Sequence, residues 1–130
     1  MKHLFKSLAA AALAFAASAT FASPAYLITH NKTNVESNAY VAGVPSPHPT
    51  RANADGKVSW LAVRLACNGH VNKEGRCAAV IKMATDTASP VDLGTVSVHV
   101  DTGDIIPKQI SGNGYTLTVN GPGEATLTKN

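Results

Sequence analysis

Aromatic residues are few in this chain and unevenly placed. They make up 5% of the sequence, and all three phenylalanines (Phe5, Phe15, Phe21) fall in the first 22 residues. The rest must build its interior from Val, Ile, Leu and Ala, with Trp60, Tyr26, Tyr40 and Tyr115 as its only Phe, Trp or Tyr residues. Basic clusters are missing too, which removes the electrostatic footprint of a nucleic-acid binder. There is no G-x-S-x-G elbow for a serine nucleophile and no Gly-rich loop opening a helix to cradle a phosphate. The histidines His30, His48, His70 and His99 show no i, i+2 or i, i+4 pairing, so no metal site and no cofactor is expected from their spacing. No apolar run reaches the roughly 18 residues that span a bilayer.

What is present begins with an export signal. Lys2, His3 and Lys6 make a cationic start, residues 8–17 are an uncharged run of Ala, Leu and Phe, and small residues follow. That order is a cleavable secretory signal over residues 1–22, leaving residues 23–130 as one domain. Two cuts fit, before Thr20 after Ala17-Ser18-Ala19 and before Ser23 after Thr20-Phe21-Ala22. The second is favoured because Pro24 then lies just past the cut and ends the leader helix. Removing Lys2 and Lys6 lowers the formal charge from +3 to +1. The expected location is the periplasm or the medium, with no stable membrane anchor after cleavage.

Outside the cytoplasm an even cysteine count reads as a disulfide, here Cys67 with Cys77. Closing so short a loop is worth about 2.5–3 kcal/mol by loop entropy. Apolar positions elsewhere alternate with period two. Strands are expected at residues 26–30, 38–44, 58–67, 77–85, 92–100, 105–110 and 115–119, with a last one around Ala125 and Leu127. Asp55-Gly56, residues 101–104, 112–114 and 120–123 carry turn sequences. Pro107 marks its strand as an edge or a bulge. Seven to eight short strands and no amphipathic helix predict an all-β fold, a small antiparallel β-sandwich of immunoglobulin-like architecture. On this pattern Cys67 and Cys77 end facing strands and staple a hairpin loop.

Asp101-Thr102-Gly103 resembles the Asp-Thr-Gly of retroviral-type aspartic proteases, over three residues that sit late in the chain and before charged Asp104. The same residues make a good turn, and a turn is expected. Asn31-Lys32-Thr33 matches the N-glycosylation pattern without further support. Chaperone-assembled pilus subunits are also exported β-sandwiches with one disulfide, but here Lys129 stands at the penultimate position where they carry Tyr.

No catalytic residue is assigned. Two loops stand out as binding candidates: residues 45–56, a Pro-rich extended segment carrying His48 and Arg51, and the stapled loop 68–76 carrying His70, Lys73 and Arg76. Rigid extended loops lose little entropy on binding. The expected function is a non-enzymatic exported domain that binds a protein or a glycan through these loops. A periplasmic metal-binding protein and a hydrolase with a dispersed Asp/His site are the alternatives.

Overall fold

The computed structural model describes residues 22–130, so the expected signal lies outside the described residues except for Ala22. The described residues form ten strands and one helix. β1 (Tyr26–Asn31), β4 (Ala54–Ser59), β8 (Gln109–Gly112), β9 (Tyr115–Gly121) and β10 (Glu124–Lys129) make one sheet, in the order β4-β1-β10-β9-β8. β2 (Ser37–Val41), β3 (Val44–Pro45), β5 (Arg76–Met83), β6 (Val91–His99) and β7 (Ile105–Ile106) make the other, in the order β3-β2-β5-β6-β7. The all-β sandwich expected from the sequence is present. All pairings are antiparallel except β1 with β10, which run parallel with His30 opposite Thr126. Alternation along β9 and β10 sends Leu117, Ala125 and Leu127 into the core and leaves Thr118 and Thr128 outside.

The expected strand at residues 58–67 is corrected. β4 ends at Ser59, and α1 (Trp60–Cys67) follows at once. Ser59 caps it, its hydroxyl accepting from the Ala62 N–H at 3.3 Å, which satisfies one orphan donor of the first turn. Trp60, Val63 and Cys67 are buried, a helical stripe at i, i+3, i+7. Leu61 and Leu65, which alternation along a strand would put on one face with Val63 and Cys67, are 68% and 67% exposed. The expectation of no helix fails for the same reason. Cys67 and Cys77 are bonded as expected, with Cα atoms 5.8 Å apart, but they join the end of α1 to the start of β5 and not two strands of a hairpin.

Asp55-Gly56, expected as a turn, lies inside β4. A Cβ on Gly56 would stand 2.4 Å from the Thr50 hydroxyl, so glycine here admits close passage of the preceding loop. The turn falls earlier, with Asn53 at φ +53°. The expected strand 105–110 divides at Pro107 into β7 and β8, one in each sheet, and both are edge strands. An edge is where a residue without an N–H is tolerated.

Ser23 and Pro24, near the start of the described residues, are tied down. The Ser23 hydroxyl donates to the Asp101 carbonyl at 2.8 Å, and Arg64 Nη2 donates to the Ser23 hydroxyl oxygen at 2.8 Å. Arg64 also pairs with the Asp101 carboxylate at 3.2 Å. Pro24 lies against Gly103 and Gly123, where added Cβ atoms would come within 2.4 and 3.1 Å of its ring. The Asp-Thr-Gly triplet is thus a turn that seats Ser23 and Pro24.

Candidate functional site

The two sides of the sandwich are closed differently. Along the β7–β8 side the chain steps from one sheet to the other at Pro107. Met83, Leu93, Val96, Ile105, Leu117, Ala125 and Leu127 form the main core. Along the β3–β4 side the sheets are bridged by residues 46–53 and by α1, whose Trp60, Val63 and Cys67 form a smaller cluster with Cys77. Between these bridges a cleft of about 480 Å³ remains.

Its walls are aliphatic. Leu27 and Val58 come from the first sheet, Ala39, Val41, Ala79 and Val98 from the second, and Ala62, Val63 and Ala66 from α1. The disulfide lies among them. Val44 and Leu65, 66% and 67% exposed, stand on the cleft, leaving apolar surface in water. Polar lining comes mainly from β2 and the Pro-rich segment, as Asn38, Ser46, His48 and Thr50, with Thr29 on β1.

The Pro-rich segment is a fixed wall. Ser37 and Thr50 exchange backbone hydrogen bonds of 2.9 and 2.8 Å, and Ser46 N–H donates to the Ala39 carbonyl at 2.9 Å. Asn38 Nδ2 donates to the Ser46 carbonyl at 2.7 Å. Asn31, 2% exposed, donates to the carbonyls of Val35, Thr50 and Arg51. Its Oδ1 accepts from the Thr33 N–H and hydroxyl at 3.0 and 2.7 Å. The glycosylation-like triplet is therefore an internal brace with no free amide to modify.

The sequence-selected residues separate. His48 lines the cleft. Arg51 is exposed, and its carbonyl takes part in the Asn31 brace. His70 and Lys73 are exposed in the loop after α1 and do not line the cleft. That loop is organised by Asn72, whose Oδ1 accepts from the N–H groups of Glu74 and Arg76 at 3.0 and 2.9 Å. A shallower depression of about 420 Å³ beside it is lined by Arg64, Asn68, Gly69, Val71 and Val100. Arg76 opens β5 and is occupied, donating to the carbonyls of Ser97 and Asp104 and to the Asp104 carboxylate.

The histidines lie on different parts of the sandwich. His99 Nδ1 accepts from the backbone N–H groups of Asp101 and Thr102. His30 faces outward, with Asp55 on β4 2.8 Å from Nδ1 and Glu124 on β10 2.7 Å from Nε2. Its hydrogen bonds to Glu124 and then to Asp55 raise its pKa above the ordinary 6.5. Across the molecule, Lys108 and Arg76 hold Asp104 below its ordinary 3.8. Among the described residues no three His, Cys, Asp or Glu side chains are grouped to hold a metal ion.

Sequence reasoning missed the cleft and the His30 bridge. Alternation reports which way a side chain points, not whether the facing sheet reaches it. The bridge depends on the parallel β1–β10 pairing, which joins residues 94 apart.

The chain matches, over residues 1–130, the family model described as T2SS substrate NttC. It is similar to a solved structure titled as the Legionella pneumophila type II secretion system substrate NttC, at 56% identity and a TM-score of 0.80. That match covers 83% of this chain and 100% of the other. No match is found among curated proteins. The chain belongs to the NttC family of type II secretion substrates.

Proposed function

We propose that this exported protein is a non-enzymatic binding domain whose partner enters the cleft between the Pro-rich segment and α1. The observation that carries the reading is the cleft itself, about 480 Å³ with exposed Val44 and Leu65 on it. Ligand pockets fall in the range of about 300–1,000 Å³ and are mostly apolar with a few placed polar groups. Of the two loops selected from sequence, residues 45–56 supply a wall of this site. The wide separation of the histidines supports binding over hydrolysis.

Aliphatic walls favour an apolar partner over a glycan, which is usually met by aromatic platforms and dense hydrogen bonding. Titration with an apolar reporter dye tests the site. Saturable one-site binding is expected for the native domain and should fall sharply in Leu65→Asp, while His70→Ser and Lys73→Ser leave it unchanged. Equal binding by all of these proteins would remove the cleft from consideration.

The export route includes removal of residues 1–22. The anchoring of Ser23 and Pro24 supports a domain that starts there. N-terminal sequencing of the exported protein should begin at Ser23; a start inside the domain would refute the cut.

A further inference from the structure

We propose that the cleft is a site for one unbranched alkyl chain bearing an anionic head, a free fatty acid, with the tail among the aliphatic walls and the carboxylate at the Pro-rich segment. The inference rests on the cleft being the binding site, and it names the ligand class.

Three observations lead to an alkyl chain. First, the inner walls are sheet faces and a helix flank, which present side chains, and the backbones of β1, β2 and β5 are paired to a neighbour on each side. A peptide entering there would bury amides without partners, at a large desolvation cost. An alkyl chain has no polar group to satisfy. Second, no Asp, Glu, Lys or Arg lines the cleft among the described residues, and the only aromatic ring there is His48. The buried part of a ligand must therefore be uncharged, and stacking has little to work with. Third, the small side chains of Ala39, Ala62, Ala66 and Ala79 leave the space between stiff valines, which an unbranched chain can fill without displacing them.

The charge pattern places the head. Residues 44–53 contain His48 and Arg51 and no acidic residue. Ser46 and His48 stand on the cleft, with the His48 N–H held to the Ser46 hydroxyl oxygen at 3.0 Å. An anion there meets the Ser46 hydroxyl and the His48 ring, with exposed Arg51 further along the same segment and no carboxylate in it. The braced wall is pre-organised, so little ordering cost falls on binding.

The test titrates the disulfide-bonded domain, residues 23–130, with monomeric saturated fatty acids from octanoate to hexadecanoate. Binding should be one-site and should tighten about fourfold per added methylene until the cleft is filled, then level off. Ala39→Phe, which fills the space from β2, should weaken it at least about tenfold with the circular dichroism spectrum unchanged. If that variant does not fold, Leu65→Asp at an exposed position gives the same comparison. Arg51→Gln should weaken the carboxylate more than the matching alcohol. An apolar hexapeptide is titrated alongside. If the peptide binds in an Ala39-dependent way and no fatty acid does, the ligand class is overturned while the binding site stands. If neither binds, both are overturned. Fatty-acid binding that ignores chain length and both variants overturns the assignment to this cleft.

Discussion

The two lateral sides of the sandwich solve the same problem with different residues. Beside β7 and β8 the sheets meet over Met83, Leu93, Leu117 and Leu127, all at most 5% exposed. Beside β3 and β4 the facing residues include Ala39, Ala62, Ala66 and Ala79, and a cleft remains. One side uses side-chain volume to hold the sheets together. The other holds them with a helix, a braced Pro-rich segment and a disulfide, and keeps the space between them. Apolar surface left in water contributes nothing to folding, so the open side depends on covalent and polar ties.

That contrast can be broken from either side. Leu127→Ala on the closed side should cost about 2–5 kcal/mol in urea unfolding, whereas Leu65→Ala on the cleft should stay within about 0.5 kcal/mol. Comparable losses would erase the distinction. Replacing both cysteines by serine should cost about 2–3 kcal/mol and should reduce reporter-dye binding as well, because the bridge ties α1 to β5. Next in size, Ser59→Ala should cost about 1 kcal/mol through the lost cap, seen as a lower thermal midpoint.

The smallest expected effects are pH-dependent, and the two sides should respond in opposite directions. His30 ties β4 to β10 across β1, and its pKa is raised by Glu124 and Asp55. Its contribution is fully present below the ordinary 6.5 and is lost as pH rises through the raised value. Asp104, lowered by Lys108 and Arg76, contributes above its ordinary 3.8 and loses that contribution as pH falls through the lowered value. Thermal midpoints measured across pH should show His30→Gln flattening the neutral-to-alkaline limb and Asp104→Asn flattening the acid limb. Both groups are largely solvated, so each change should be small. Interchanged effects would contradict the two clasps.

The sequence announced some of this and hid the rest for definable reasons. β9 and β10 were legible because alternation and Asn120-Gly121-Pro122-Gly123 agree on one hairpin. Residues 60–67 satisfy two periods at once: Leu61, Val63 and Leu65 read as a strand face, Trp60, Val63 and Cys67 as a helix stripe. Ser59 decides between them as a cap, a role that period counting does not register. Pro45, Pro47 and Pro49 marked the wall of the cleft, but the cleft follows from small residues on three separate elements. Asp101-Thr102-Gly103 shows the reverse failure, a triplet with a chemical resemblance whose work is to receive Ser23 and Pro24.

That reception gives the domain a lower limit on trimming. A chain cut before Thr20 would carry three extra residues ahead of Ser23 and keep every contact. A chain shortened past Ser23 would lose the hydroxyl that bridges Arg64 to the Asp101 carbonyl, and one shortened past Pro24 would leave Gly103 and Gly123 without the ring that covers them. Exopeptidases advancing from the amino end past Ser23 would therefore loosen, with each residue removed, the turn that holds it.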